Sequence, residues 1–360
     1  MNIAADTAEV LIETRGGLGL ITLNRPKALN ALSLGMIRAV DRALIRFAAD
    51  DAIGAVLIRG AGEKAFCAGG DVRALVTAPA GVDKDRLARD FFAEEYRLNF
   101  RVHTYPKPFV AVIDGVTMGG GCGLSLHSNL VVATERTMVA MPETVLGLFP
   151  DVGATWFLNR CPGEIGVCLG LTGRRLKAAD LKALGLASHV VPSSVIDALV
   201  AALAAQPRLD RGAVRRMLDA HGVDAGPSAI LADRATIDRI FAADTIEAII
   251  AALSTETAPW AVEALHTMER ASPTSLKLTL RQLRDGRALG ADVAAMLRVE
   301  YRLAVRSVAS ADFAEGVRAI LIDKDNKPAW QPARLDQVDA AWVERYFTPF
   351  EKPAEELSFA

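Results

Sequence analysis

Residues 109–123 read FVAVIDGVTMGGGCG and decide the fold of this chain. The apolar run at 109–113 is typical of a buried strand, and the three glycines at 119–121 form a bare backbone turn that opens into a helix. Unshielded N–H groups in such a turn can point at a developing negative charge. The stretch therefore predicts a strand end that carries part of an oxyanion hole.

A second loop has the same character. Residues 65–71, AFCAGGD, follow the apolar run at 55–59, just as the glycines follow 109–113. The carboxyl ends of parallel strands meet at one edge of a sheet, where ligands bind. We expect one N–H group from each loop to converge on a single carbonyl oxygen. The alternative is that both loops are only tight turns.

Two carboxylic acids, Glu143 and Asp151, each come directly after a proline that restricts the chain. Their neighbours between 141 and 149 are mostly apolar, so burial would raise the pKa of either carboxyl group. Such groups suit the roles of general base, general acid or nucleophile. For Asp151 the alternative is capping of a helix predicted at 152–159.

The bulk composition excludes several classes of protein. The chain has 360 residues, of which 51% are hydrophobic, and a formal net charge of -2, which leaves no basic surface for nucleic acid. The cysteines at 67, 122, 161 and 168 lack zinc-site spacing and the density of a disulfide scaffold. Neither a targeting segment nor a run of about 18 apolar residues is visible. We expect a cytoplasmic protein with no membrane and no nucleic-acid partner.

The chain alternates between strand and helix patterns and then becomes helical. A hairpin at 10–13 and 18–23 is followed by the predicted strands 55–59, 109–113, 130–133 and 188–192 and the predicted helices 32–47, 86–103, 120–128 and 176–184. This alternation is typical of an α/β fold with a parallel sheet covered by helices. From about residue 196 the segments are long, amphipathic and rich in Ala and Leu, and predict helices.

Other common catalytic motifs are absent from the sequence. It contains no Gly-x-Ser-x-Gly elbow, no phosphate-binding loop and no HExxH motif. The five histidines are scattered without metal-ligand spacing. The catalytic groups that remain as candidates are carboxylates and backbone N–H groups.

With these two loops and the Pro-Glu motif, the chain closely resembles the crotonase superfamily, the enoyl-CoA hydratase/isomerase family. Both fingerprints, FCAGGD at 66–71 and MGGG at 118–121, are intact. Within the superfamily the chain is most similar to the 3-hydroxyisobutyryl-CoA hydrolases. That similarity rests on the segments EEY at 94–96, AMPET at 140–144, GLFPDVG at 147–153, SPTSLK at 272–277, DFAEGVRA at 312–319 and DKD at 323–325.

One departure from the hydratase pattern bears on function. Hydratases carry an acid just after the triple glycine and a second in the Pro-Glu motif, whereas here the first place is Gly123. The second place is Glu143, and Asp151 stands where a small residue is usual. The resemblance thus implies hydrolysis rather than hydration.

The resemblance also implies a fold and roles for residues. We expect a spiral of strand-strand-helix turns with two roughly perpendicular sheets at 1–210, holding the CoA-thioester site, and a helical region at 211–360. The thioester oxygen would bind the N–H groups of Gly70 and Gly120. Glu143 would act as nucleophile through a transient anhydride, or as general base through water, and Asp151 would position it or bind the substrate hydroxyl.

The substrate contacts implied by the resemblance are Glu95, Gly119, Lys27, Ala28 and Ala68, and Lys277 is a further candidate for the CoA phosphates. A solvated acid at Glu95 and ordinary surface charge at the lysines are the alternatives. No cofactor is expected, because coenzyme A is part of the substrate. Superfamily members commonly form trimers or pairs of trimers, but the hydrolase branch carries extra helices at about 211–260 that could block this packing. The oligomeric state therefore stays open.

The predicted activity is hydrolysis of a short branched 3-hydroxyacyl-CoA. The expected substrate is 3-hydroxyisobutyryl-CoA, giving 3-hydroxyisobutyrate and CoA in valine catabolism, with 3-hydroxypropionyl-CoA as a realistic second substrate. The alternatives are an enoyl-CoA hydratase or isomerase of the same fold, and a CoA-binding module without catalysis.

Overall fold

The structure is a computed structural model and describes residues 8–79, 83–206 and 208–359. The strands are β1 Val10–Arg15, β2 Leu18–Leu23, β3 Ala55–Gly60, β4 Ala65–Cys67, β5 Phe109–Ile113, β6 Val116–Met118, β7 Leu130–Ala133, β8 Met138–Ala140 and β9 His189–Val190. The helices are α1 Leu34–Ala49, α2 Val72–Val76, α3 Lys84–His103, α4 Gly120–Ser125, α5 Ala154–Asn159, α6 Ile165–Thr172, α7 Ala178–Ala183, α8 Ile196–Ala204, α9 Arg211–His221, α10 Ala229–Ala232, α11 Arg234–Phe241, α12 Ile246–Leu253, α13 Pro259–Arg270, α14 Pro273–Ala288, α15 Val293–Val308, α16 Ala311–Val317 and α17 Ala340–Phe347.

The strands form two sheets. The larger sheet has the order β1-β2-β3-β5-β7-β9, with an antiparallel hairpin at β1 and β2 and parallel pairing from β2 onward. The smaller sheet has the order β4-β6-β8, and β4 and β6 pair in parallel. Because β3, β5 and β7 run in parallel, the segments that follow them leave the sheet at one edge.

The chain divides into two compact units, each built from three segments. The first unit comprises Met1–Gly70, Arg97–Val139 and Leu176–Leu231, and the second comprises Asp71–Tyr96, Ala140–Arg175 and Ala232–Ala360. The division of the chain into 1–210 and 211–360 stays a prediction about domains.

The first unit is built around the six-stranded sheet. Alternate residues of its central strands, such as Leu57 in β3 and Val110 in β5, belong to one buried cluster with Leu199 of α8 and Leu218 of α9. Helix α1 packs on β1 and β2, where Phe47 lies directly over Gly19. The parallel strands are buried along nearly their full length, as parallel sheets covered by helices require.

The second unit contains mainly helices. Helix α14 packs against α5, α6 and α17, and α15 packs against α5, α16 and α17. A methyl group added at Gly286 of α14 would lie 2.1 Å from the side chain of Thr155 in α5, so the two helices are in close contact. In the part of the chain that the structure describes, every element after β9 is helical, and no helix there is long and apolar enough to span a membrane.

The predicted α/β class with a helical C-terminal region is confirmed. The hairpin and the strands β5 and β7 lie where the sequence predicts them, and the four cysteines are buried thiols outside any disulfide. Several predictions were wrong in their bounds; the helix expected at 120–128, for example, ends at Ser125. The strand expected at 188–192 is only His189–Val190, and the helix expected at 152–159 begins at Ala154.

Candidate active site

The two glycine loops predicted to form an oxyanion hole contact each other in the first unit. A methyl group added at Gly121 would lie 2.3 Å from the carbonyl oxygen of Cys67, and one at Gly69 would lie 3.4 Å from that of Met118. The close approach at Gly121 is open only to a residue without a side chain. The convergence of the two loops is therefore present in the structure.

The two N–H groups predicted to bind the thioester oxygen belong to Gly70 and Gly120. Gly120 is the first residue of α4, so its N–H group has no partner within that helix. Neither N–H group donates to an acceptor in the described part of the chain. Neither N–H group is therefore committed to a partner among these residues, although Gly120 itself is buried.

The predicted substrate contacts of the first unit adjoin these loops. Lys27 and Ala28 lie exposed on a short 3₁₀-helix, Pro26–Ala28, near the end of β2. The N–H group of Ala68 donates to the carbonyl of Leu29 at 3.0 Å, which ties this segment to the loop after β4. Gly119 lies immediately before α4. The structure thus brings Lys27, Ala28 and Ala68 onto neighbouring segments.

The second unit holds the carboxylic acids. Glu95 lies on α3, Glu143 begins a 3₁₀-helix at Glu143–Leu146, and Asp151 lies two residues before Gly153, the N-cap of α5. Their exposed fractions are only 2%, 5% and 4%. The alternative reading of Glu95 as a solvated surface acid was therefore wrong.

Asp151 is held by a tyrosine rather than by a helix end. The hydroxyl of Tyr96 donates to Oδ2 of Asp151 at 2.7 Å, and Tyr96 is fully buried. The N-cap of α5 is Gly153, which makes no side-chain capping bond, so the capping role considered for Asp151 is not seen. Burial raises the pKa of Asp151 to about 7, although the hydrogen bond from Tyr96 acts in the opposite direction.

The pKa values of Glu143 and Glu95 are also raised. Burial, followed by the charge of Asp151, holds both pKa values well above the ordinary range. Oε2 of Glu143 and Oε1 of Glu95 are buried and have no hydrogen-bond partner among the described residues. We name Glu95, Glu143 and Asp151 the carboxyl cluster. It combines buried oxygens that have no partner in the described ranges with pKa values raised by burial, which is typical of carboxyl groups that take part in acid–base chemistry.

Three further residues around Asp151 were missed as functional candidates. Tyr96 is the last residue of the EEY segment at 94–96, but the sequence pattern predicts no role for the tyrosine. Gln282 and Glu300 lie on α14 and α15, within helical sequence that shows no motif, and both contact the segment around Asp151. The only signal for Glu300 in the sequence was an acid within a segment that has the pattern of an amphipathic helix.

Lys277 is engaged within the protein. Its Nζ lies 2.9 Å from Oε1 of Glu247 and donates to the carbonyl of Val338 at 2.9 Å. A role for Lys277 at the CoA phosphates would require these contacts to be exchanged and stays a prediction. Among the described residues, no group of three or more His, Cys, Asp or Glu side chains is arranged to hold a metal ion.

Comparison with known proteins identifies the family. A model of the enoyl-CoA hydratase/isomerase family matches residues 18–347. The chain belongs to this family. The mitochondrial 3-hydroxyisobutyryl-CoA hydrolase of Xenopus tropicalis is 45% identical over 352 residues, which cover 96% of this chain and 90% of that protein. 3-Hydroxyisobutyryl-CoA hydrolase 1 of Arabidopsis thaliana is 42% identical, with 97% and 93% covered.

A solved structure supports the fold. The crystal structure of a carnitinyl-CoA dehydratase from Mycobacterium thermoresistibile superposes with a TM-score of 0.90 at 42% identity, covering 98% of this chain and 99% of that one. The crotonase-like fold class is thereby confirmed. The names of these relatives describe two chemistries, thioester hydrolysis and dehydration, at similar levels of identity.

Proposed function

We propose that this member of the enoyl-CoA hydratase/isomerase family hydrolyses a short branched 3-hydroxyacyl-CoA, with 3-hydroxyisobutyryl-CoA as substrate and 3-hydroxyisobutyrate and CoA as products. The observation that carries the proposal is the buried carboxyl cluster, in which Glu143 presents an oxygen with no partner among the described residues. The names of curated relatives at 42–46% identity support the same substrate. The reaction would serve valine catabolism.

The glycine loops would stabilise the charge that develops on the thioester oxygen. We assign this role to the N–H groups of Gly70 and Gly120, which donate to no acceptor in the described residues. Removing one such donor typically costs about 2.7–4 kcal/mol of transition-state stabilisation. Lys27, Ala28, Ala68 and Gly119 would line the path of the substrate beside these donors.

Glu143 would act as the nucleophile. Its carboxylate would attack the thioester carbonyl carbon, the C–S bond would break and CoA would leave as the thiolate. Water would then hydrolyse the anhydride to 3-hydroxyisobutyrate and the Glu143 carboxylate, and one of the two protons released from water would go to the CoA thiolate. Glu95 and Asp151 would bind the substrate hydroxyl or orient Glu143. A single turnover in ¹⁸O-water distinguishes this route from general-base attack by water. Label in the Glu143 side chain supports the anhydride, and an unlabelled carboxylate after repeated turnovers excludes it.

Hydration of an enoyl-CoA is the second candidate, because the dehydratase named above is as similar as the hydrolases. Gly123 disfavours it, since that place would supply the first acid of a hydratase. Thiol release from 3-hydroxyisobutyryl-CoA should be followed in parallel with the loss of crotonyl-CoA absorbance. Thiol release without absorbance loss supports hydrolysis, whereas absorbance loss without thiol release makes the protein a hydratase.

We further propose that the reaction needs no cofactor and that coenzyme A enters only as part of the substrate. The cytoplasmic location stays a prediction, and the vertebrate relatives are named as mitochondrial proteins. The oligomeric state also stays open and is measurable by sedimentation.

A further inference from the structure

The backbone directly after Asp151 has an unusual conformation. Val152 has a φ of +55°, and Gly153 follows with a φ of +83°. A left-handed conformation is ordinary for glycine, but for a β-branched residue such as valine it is a genuine outlier. Strained backbone of this kind persists only where the surroundings hold it in place, and it concentrates at functional sites.

Two side chains from the C-terminal helices hold this turn. Glu300 of α15 is fully buried, its Oε2 accepts from the N–H group of Gly153 at 2.6 Å, and its Oε1 accepts from the N–H and hydroxyl groups of Thr155 at 3.0 and 2.6 Å. Gln282 of α14 donates to the carbonyl of Pro150 and to Oγ1 of Thr155, both at 2.8 Å. These hydrogen bonds fix the backbone on both sides of Asp151, and we call Glu300, Gln282 and Thr155 the clamp.

A carboxylate is suited to this position because both of its oxygens only accept hydrogen bonds. Glu300 receives one of them from Gly153 in the turn, two from Thr155 in the first turn of α5 and a longer one, at 3.3 Å, from Gln282. An amide of the same shape would turn its NH₂ group toward an N–H donor. Burial and, to a smaller extent, the charge of Asp151 raise the pKa of Glu300 to about 7, although its hydrogen bonds from Thr155 and Gly153 act in the opposite direction. This acid is therefore costly to keep ionised.

We propose that Glu300, assisted by Gln282, is a positioning residue that holds the turn Pro150–Gly153 in its left-handed conformation and thereby orients Asp151 for the reaction. The backbone of Asp151 is fixed by this clamp and its carboxylate by Tyr96. The C-terminal helices then contribute to catalysis through Asp151, without touching substrate. This inference rests on the proposed function, in which Asp151 takes part in thioester hydrolysis.

A double-mutant cycle with 3-hydroxyisobutyryl-CoA tests the proposal. Glu300→Gln is expected to lower kcat/KM about 100-fold in folded protein, since small misplacements of reacting groups have effects of that order. In an Asp151→Asn background the same change should lower kcat/KM less than about twofold, because the residue it positions is already gone. Equal falls in both backgrounds would overturn the proposal, since a general structural role is additive.

Matched variants keep the test clear. Asp180→Asn alters a buried carboxylate of the first unit that accepts from Ser228 and Ile230, and should leave kcat/KM within about twofold. Should Glu300→Gln fail to fold by circular dichroism, Thr155→Val removes one hydroxyl from the clamp and should still lower kcat/KM more in the Asp151 background than in the Asn background. Equal effects again overturn the proposal.

A second measurement does not depend on turnover. In a crystal structure of Glu300→Gln, or of Thr155→Val, we expect Val152 to leave the left-handed region and the Tyr96–Asp151 bond to lengthen beyond about 3.5 Å. An unchanged turn overturns the clamp. If the wild-type protein releases no thiol, or if Asp151→Asn leaves no measurable rate, this structure decides the inference. A silent wild type counts against the proposed function alone.

Discussion

Replacing Asp151 by asparagine is expected to stabilise the protein above neutral pH. Asparagine keeps an oxygen that can accept the hydrogen bond from Tyr96, which donates at 2.7 Å in the wild type. It removes the buried charge. A carboxyl group whose pKa is higher in the folded than in the unfolded state contributes its full stability below the unfolded pKa and loses it as the pH rises through the folded pKa.

The size of the effect follows from the pKa of Asp151, which burial raises from 3.8 to about 7. A difference of roughly three pKa units, at about 1.36 kcal/mol per unit, amounts to about 4 kcal/mol. This is an upper limit, because Asp151 and its acidic neighbours in the carboxyl cluster titrate together, so the free energy does not belong to Asp151 alone. The advantage of Asp151→Asn should be small at pH 4 and complete above pH 8. For a single cooperative transition of 360 residues, it corresponds to roughly 5 °C in Tm.

Thermal and urea unfolding at pH 4 to 8.5, followed by circular dichroism, measure this difference. Asn159→Ala is a suitable control, since it removes an uncharged donor to the carbonyl of Leu283 and should shift stability equally at every pH. A gain for Asp151→Asn that does not grow with pH would refute the reasoning. A loss of stability at pH 8.5 would show that Asp151 is not a buried charge in the folded protein.

Three further results are expected. Tyr96→Phe removes the hydrogen bond that lowers the pKa of Asp151. The acid limb of the kcat/KM profile, measured between pH 5.5 and 9, should therefore move to higher pH. A move to lower pH would contradict the assignment. Gly121→Ala should lower the free energy of unfolding in urea by about 1–3 kcal/mol, because its methyl group would meet the Cys67 carbonyl at 2.3 Å. The control Gly35→Ala in α1 should be neutral or stabilising. Dialysis against EDTA should leave the rate of thiol release unchanged, and restoration of a lost rate by a divalent metal would contradict the cofactor-free proposal.

Local patterns predicted much of the first unit. The strand at 109–113 and the hairpin before it follow from continuous or paired apolar runs bounded by glycine. The convergence of the two glycine loops could be predicted as well, because parallel strands deliver their following segments to one edge. These features depend on neighbours in sequence or on a general rule of topology.

The environment of Asp151 could not be predicted in the same way. Its partner Tyr96 lies 55 positions away, and Gln282 contacts Pro150 across 132 positions. The pattern around Val152 favours a helix start, but the left-handed turn delays that helix until Ala154 because Glu300 and Gln282 hold the turn. Tertiary contacts override local preference here, as is common at functional sites.

The most direct test of the account compares thiol release from 3-hydroxyisobutyryl-CoA by the wild-type protein and by Glu143→Gln. The two side chains have the same shape, and Glu143 is 95% buried, so the variant should fold and bind substrate. We predict release by the wild type and a loss of about 10²–10⁴-fold in kcat for Glu143→Gln. A Glu143→Gln variant that releases thiol at the wild-type rate would contradict the assignment of Glu143 as the reacting carboxylate.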